Sequence, residues 1–202
     1  MSRKRIFYIV FFGVLVVAFY FIMSAVIPGF ANPTIPPIGT VQPFRFTNQD
    51  GNDFTEKEIQ GKVAAVEFFF TTCKGICPRM NNNMKTVYNQ FKNEKDFLIL
   101  SHTSDPGTDT PARLKQYADS MQVNTAQWVF LTGRKDSLYG MARHSYKIDD
   151  PANNVTKIED DFLHSQFVAL VNRKGDVVKI YDALKPSEMK EMTGEIKKLL
   201  KQ

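Results

Sequence analysis

The sequence predicts an α/β domain: a central mixed β-sheet flanked by helices, with an N-terminal β-hairpin and, ahead of it, a transmembrane helix. Three observations predict it. Short apolar runs bounded by Gly, Pro and polar turns alternate with segments whose apolar residues recur at helical spacing. After the hairpin the elements follow the order β-α-β-α-β-α-β-β-α, which places helices on both faces of a sheet. At 202 residues, 43% hydrophobic and 23% charged, the chain is long enough for one well-cored domain plus an appendage, without low-complexity tracts.

The appendage comes first. Residues 1–5 form a basic tail containing Arg3, Lys4 and Arg5. From Ile6 to Ile27 the chain carries no charge. At ~1.5 Å rise per residue such a run reaches across a hydrocarbon core of ~30 Å. The basic tail stays cytoplasmic, so the rest of the chain lies on the far side. A cleaved signal peptide is the competing reading, with Gly29-Phe30-Ala31 offering small residues at cleavage-like spacing. The run is long for a signal h-region of ~7–15 residues, which favours a retained anchor over 6–28. No Cys follows it directly, so lipid attachment by the bacterial lipoprotein route is excluded. Residues 29–39, containing "NPTIPPIG", form a Pro-rich semi-rigid linker, and the globular domain occupies 40–202.

The formal charge of +5 belongs mainly to the tail. Arg3, Lys4 and Arg5 supply three of the 26 basic residues and no acid precedes Asp50, leaving 23 basic against 21 acidic residues. Those charges are interspersed, as on a solvated surface, and nucleic-acid binding is not expected.

Within the domain, Phe44–Thr47 and Asp53–Thr55 flank "NQDGN" and form the hairpin. "KVAAVEFFF", Lys62–Phe70, is a buried central strand. Met80, Met84, Val87, Tyr88 and Phe91 make one helical stripe. Phe97–Ser101 is a second buried strand, followed by a loop and a helix entered at Thr110-Pro111. Trp128–Leu131 is a third strand and Asp136–Tyr146 a helix. Ser165–Val171 and Val177–Tyr181 pair across "NRKGD", with Gly in the turn. The last helix presents Met189, Met192, Ile196, Leu199 and Leu200 on one face. A strand, a cysteine turn and a helix, followed much later by a terminal hairpin and helix, make a thioredoxin-like arrangement.

Both cysteines, Cys73 and Cys77, lie in "FFFTTCKGICPRM". If the turn already has helical character, their i, i+4 spacing puts both sulfurs on one face. The helix N-terminus, with Lys74 and Arg79 nearby, then favours thiolate. Three uses compete. A structural disulfide would close a very short loop and stabilise little by chain entropy. Thiol–disulfide exchange is open to the pair, although the familiar motif on this fold is one residue shorter. A soft metal ion, copper(I) or zinc, is the third, and would recruit a further ligand, usually imidazole. Of the three histidines, His102 ends a strand and reads as structural or surface, and His144 as solvated surface. His164 precedes a strand expected to run beside the cysteine strand, within reach of the sulfurs.

These residues resemble the Sco/SenC family of copper proteins in respiratory assembly. "FFFTTCKGICP" is similar to its F-x-[TS]-x-C-x-x-x-C-P segment, and "SHTSDPGTDTPARLKQYA" to its S-x-D-P-x-x-D-T-P loop and helix. "LTG" and "HSQFVALVNRKGDVV" match its later segments. The resemblance implies a thioredoxin fold binding one copper ion, Cu(I) or Cu(II), through Cys73, Cys77 and His164. It implies delivery of copper to, or preparation of the thiols of, the dinuclear copper site in cytochrome c oxidase subunit II or a related acceptor. Such a protein is not an enzyme in the turnover sense. Other copper carriers or thiol reductants are implied as further partners. The location would be the bacterial inner membrane, single-pass, with the domain in the periplasm, or the mitochondrial inner membrane in a eukaryote. A thiol–disulfide reductase using Cys73 and Cys77 catalytically, and a redox or copper sensor, are the alternatives. Asp105 and Asp109 match the family's loop acids and read locally as turn and helix-capping residues. Two segments depart from the family pattern: Thr72 and Lys74-Gly75 flank the first Cys where many members have His and Pro-Asp. Leu163 also stands where many have an acid before the ligand His, with Asp160 and Asp161 upstream.

Overall fold

The computed structural model describes residues 2–27, 30, 36–153, 158 and 161–202. The chain divides into two compact units, Met1–Pro36 and Pro37–Gln202. Most of the linker expected over 29–39, together with Gly29, Ala31 and Asp160, lies outside the described residues.

The first unit holds helix α1, Arg3–Val26, none of whose residues is buried. Its 24 residues span roughly 36 Å at the α-helical rise, and it is the one helix among the described residues long and apolar enough to cross a membrane.

The second unit is built on an eight-stranded mixed sheet in the order β1-β8-β7-β4-β5-β6-β2-β3. The strands are β1 Gly39–Thr40, β2 Arg45–Asn48, β3 Asp53–Thr55, β4 Val63–Phe69, β5 Phe97–Thr103, β6 Trp128–Thr132, β7 Phe167–Val171 and β8 Asp176–Asp182. Strands β4, β5 and β6 are mutually parallel, and the other pairs are antiparallel. All seven residues of β4 and of β5 are buried, the expected state of central parallel strands covered on both faces.

Alternate residues of β4 serve two cores. Val63, Ala65 and Phe69 pack with helices α2 (Cys77–Phe91), α3 (Pro111–Met121) and α5 (Pro186–Leu199). Ala64, Val66 and Phe68 pack on the other face with Phe44, Phe46 and Phe54 of the hairpin region and with Leu138 and Tyr139 of α4 (Lys135–Gly140). The fold is the predicted thioredoxin-like one.

Register positions the site. Phe69 pairs with Thr103 and Glu67 with Val168, so the residues after β4, those after β5 and those before β7 gather at one end of the sheet. Open α/β sheets place their ligand sites at the carboxyl ends of parallel strands in this way.

Several boundaries differ from the sequence reading. Strand β5 runs on to Thr103, because β4 supplies a ladder partner that far, and His102 becomes an interior residue. Strand β7 starts at Phe167 rather than Ser165, since the Ser165 hydroxyl accepts the Phe167 N–H locally. The expected helix over 136–146 is α4 followed by a π turn, Met141–Ser145, in which Tyr146 N–H donates to Met141 C=O at 2.8 Å. That wider turn buries Met141, Ala142, Arg143 and Ser145 and leaves His144 facing solvent.

Strand β1 has no counterpart in the sequence reading. Ile38 N–H donates to Val177 C=O and Val41 N–H to Gly175 C=O, each at 2.8 Å, which ties the chain along the outer edge of β8. Gly39 is required there: a Cβ would stand 2.5 Å from the Ser145 carbonyl oxygen.

Candidate metal centre

Strand β4 ends at Phe69, and the chain reverses in a tight turn over 70–73 closed by Cys73 N–H donating to Phe70 C=O at 3.2 Å. Helix α2 begins at Cys77, with Pro78 in its first turn, where the missing N–H costs nothing. Cys73 therefore sits in a loop, not on a helical face as the i, i+4 spacing implied. The N-cap position, Ile76, supplies no capping side chain. The Arg79 and Met80 N–H groups donate to the Ile76 carbonyl, each at 3.0 Å, while the backbone N–H groups of Gly75, Ile76 and Cys77 favour the thiolate of Cys73.

The two thiols are free, hydrogen-bonded to one another and unequal. Partial burial is the largest single influence on Cys73 and pushes its pKa up. The Cys77 thiol and the three backbone N–H groups together outweigh it, and the net direction is down. Cys77 is 3% exposed, and burial, with the hydrogen bond to Cys73 next, pushes it up to about 12. The expectation that the helix N-terminus favours thiolate at both positions thus holds only for Cys73. Burial and hydrogen bonds, rather than the Lys74 and Arg79 cations, dominate at that sulfur.

His164 is exposed and lies three residues before β7, which runs antiparallel beside β4 as anticipated. It shares with Cys73 an open cleft of about 1070 Å³ lined also by Phe70, Ile148 and Asp149. Its ring packs against Phe70 and Phe162, at centroid distances of 5.1 and 5.0 Å, and those two rings are 5.0 Å apart. The fold therefore brings the two sulfurs together and the imidazole into the cleft that Cys73 lines. Among the described residues, however, no three His, Cys, Asp or Glu side chains stand close enough together to hold an ion without further movement. Two sulfurs and an imidazole remain a donor set suited to a soft ion such as copper(I).

The other histidines are elsewhere. His102 is fully buried on the opposite face of the sheet, stacked on Phe68 at 5.0 Å and edge-on to Phe46 at 5.4 Å. Burial lowers its pKa to about 3, so it is a neutral core residue, as the structural reading held. His144 is exposed.

Two residues near the thiols, Glu67 and Phe162, escaped the sequence reading, and a third, Asp109, was assigned another role. Glu67, in β4, is fully buried; burial raises its pKa to about 7 against a hydrogen bond from Ser101, and its charge in turn raises Cys77. A lone acid inside the apolar "VAAVEFFF" run is the signal that marks it. Phe162 packs on His164 from an exposed position with no sequence signature. Asp109 does not cap α3. Thr110 does so, accepting the Arg113 N–H at 3.4 Å, while the Asp109 carboxylate is directed back at the cysteine turn. Asp105 behaves as anticipated, its carbonyl accepting the N–H groups of Thr108 and Asp109 in a turn.

Comparison with known proteins agrees with this architecture. The SCO1 protein homolog of Bacillus subtilis is 32% identical over 161 residues, covering 78% of this chain and 81% of its own. The structure of BsSco, described as a member of the Sco family of cytochrome c oxidase assembly proteins with a disulfide switch, aligns at TM-score 0.69 and 30% identity, over 83% of this chain and 98% of its own. Yeast Sco1 with copper bound aligns at TM-score 0.58 and 25% identity, over 81% and 95% of the two chains. Residues 33–201 match the family described as SCO1/SenC, and the chain belongs to that family.

Proposed function

We propose that this protein is a membrane-anchored copper-binding assembly factor. Its cargo is one copper ion held by Cys73, Cys77 and His164, delivered to the dinuclear copper site of cytochrome c oxidase or used while preparing that site's thiols. The observation that carries the reading is the pair of unequal, hydrogen-bonded thiols, of which Cys73 lines the cleft that holds His164 and Cys77 is buried behind it. Cys73, half-buried at the cleft wall and acidified, is the natural first contact for a soft ion, and Cys77 must give up its proton to join it. His164 then completes a trigonal set by leaving Phe70 and Phe162, a movement its exposed loop position permits. The copper-bound relative and the oxidase assembly role given for BsSco support the assignment.

Residues 1–5 are the cytoplasmic tail, 6–28 the anchor, 29–39 the linker and 40–202 the copper domain, on the periplasmic side of a bacterial inner membrane. Reducing the full chain in detergent and titrating it with copper should give one ion per chain for the wild type. Cys73→Ser, Cys77→Ser and His164→Ala should each lose most of that binding. A Cu(II)–thiolate absorption band unchanged in His164→Ala would remove the imidazole from the ligand set.

The unequal thiols also favour a second reading, thiol–disulfide exchange on a partner, with Cys73 attacking and Cys77 resolving. Reductase activity that survives His164→Ala while copper binding is lost would assign the pair to that chemistry.

A further inference from the structure

Asp109 lies in the loop between β5 and α3, and its side chain is fully buried. One of its hydrogen bonds is local: Thr103 Oγ1 donates to Oδ2 at 2.6 Å. The others cross the molecule to a residue 38 positions earlier. Thr71 N–H donates to Oδ2 at 3.1 Å, and the Thr71 hydroxyl donates to Oδ1. Arg113, from the first turn of α3, donates its Nε–H to the same Thr71 hydroxyl oxygen at 2.6 Å and stands 3.7 Å from Oδ1.

Thr71 is the second residue of the turn that presents Cys73, and Phe70, the first, packs on His164. A short turn leaving a strand has few contacts of its own to fix it, and exposed loops are the least stable parts of a fold. Here a charged acceptor, the stronger kind of hydrogen-bond partner, grips both the amide and the hydroxyl of one turn residue. The same carboxylate is fastened to the end of β5, a central strand buried along its whole length. We propose that Asp109 is a positioning residue that pins the turn over 70–73 through Thr71, setting the Cys73 sulfur against Cys77. The inference rests on Cys73 being a working thiol, and on nothing further in the proposed function.

A turn that holds the two sulfurs together preorganises them for the Sγ–Sγ bond, so releasing the clamp shifts the thiol–disulfide balance toward the dithiol. That balance is measured on the copper-free full chain in detergent, equilibrated with glutathione buffers. The two thiols lose two protons and two electrons and form the Sγ–Sγ bond, while glutathione disulfide is reduced to two glutathione thiols. Asp109→Asn and Thr71→Val should each move the equilibrium constant at least about tenfold toward the dithiol, equivalent to about 30 mV for this two-electron couple. Thr71→Ser, which keeps the hydroxyl, should track the wild type.

An equilibrium constant unchanged in both variants while their thermal midpoints fall would reduce Asp109 to a purely structural residue and overturn the proposal. An equal shift in Thr71→Ser would overturn it too. Should Asp109→Asn fail to fold, Thr71→Val decides alone, because it deletes one hydroxyl at a half-buried position. Copper titration of the same samples separates the two ideas. A wild type that binds no copper refutes the proposed function and leaves the clamp standing, whereas a copper-binding wild type with unmoved equilibria in the variants refutes only the clamp.

Discussion

Glu67 and His102 face opposite sides of the sheet and titrate in opposite senses. Glu67 Oε1 accepts the Ser101 hydroxyl at 2.6 Å, Ser101 accepts Trp128 Nε1–H at 2.8 Å, and Oε2 has no partner among the described residues. A folded pKa raised to about 7 means the native state holds the proton more tightly than the unfolded chain. The resulting stability is complete below about 4.5 and is lost as pH rises through 7, on the order of 3 kcal/mol in all. Glu67→Gln should remove that slope, gaining stability over wild type at pH 8 but not at pH 4.5 in urea unfolding. For His102 the sign is reversed, because its folded pKa lies near 3 and the native state binds the proton less tightly. Stability is complete above about 6.5 and falls with acid, by about 2 kcal/mol at pH 5. Neither ring nitrogen has a partner among the described residues, so His102→Phe, which suits the surrounding Phe44, Phe46 and Phe68, should unfold with less acid sensitivity between pH 7 and 5. The letters reveal that such residues exist, but burial and orphaned atoms arise only when distant strands pack.

At the level of elements, the apolar runs of β4, β5 and β6 and the stripes of α2 and α5 were legible because periodicity reports burial directly. The π turn was not, since one extra residue per turn leaves no mark on a pattern of helical period. Its effect is to turn Arg143 inward, where it pairs with Asp149 at 2.8 Å and Asp161 at 2.7 Å, donates to the Asn153 carbonyl and lies over the Tyr139 ring. Tyr139 in turn accepts the Leu163 N–H at 3.1 Å and donates to the Ser104 carbonyl at 2.8 Å. The approach to His164 is thus fastened at Asp161 and at Leu163. Arg143→Ala strands two carboxylates, one of them 7% exposed, and should cost about 3 kcal/mol. Faster hydrogen exchange at the Leu163 amide should accompany it, without change at the turn over 70–73. Asp109 was misread for a related reason: adjacency to Thr110-Pro111 indicates a cap, while its true partner, Thr71, lies 38 residues away in sequence.

For the whole molecule, the division into apolar helix and folded domain could be read from charge and hydropathy alone, and the paired cysteines announced the site. What spacing could not convey was the inequality of the two sulfurs or the parking of His164 on two phenylalanines, both products of packing. A chain beginning at Pro37 should stay in solution without detergent and keep the circular dichroism of a mixed α/β protein, whereas the full chain should require detergent. The choice of starting residue matters, because β1 is held by the edge of β8 and by Ser145, whose hydroxyl accepts the Gln42 N–H at 2.9 Å and donates to the Thr40 carbonyl at 3.2 Å. Proteolytic trimming past Gln42 would strip that two-residue selvedge from the sheet. The bared carbonyls and amides of β8 would then recruit the same strand from another copy, and the trimmed protein would be lost to precipitation before its chemistry could be assayed.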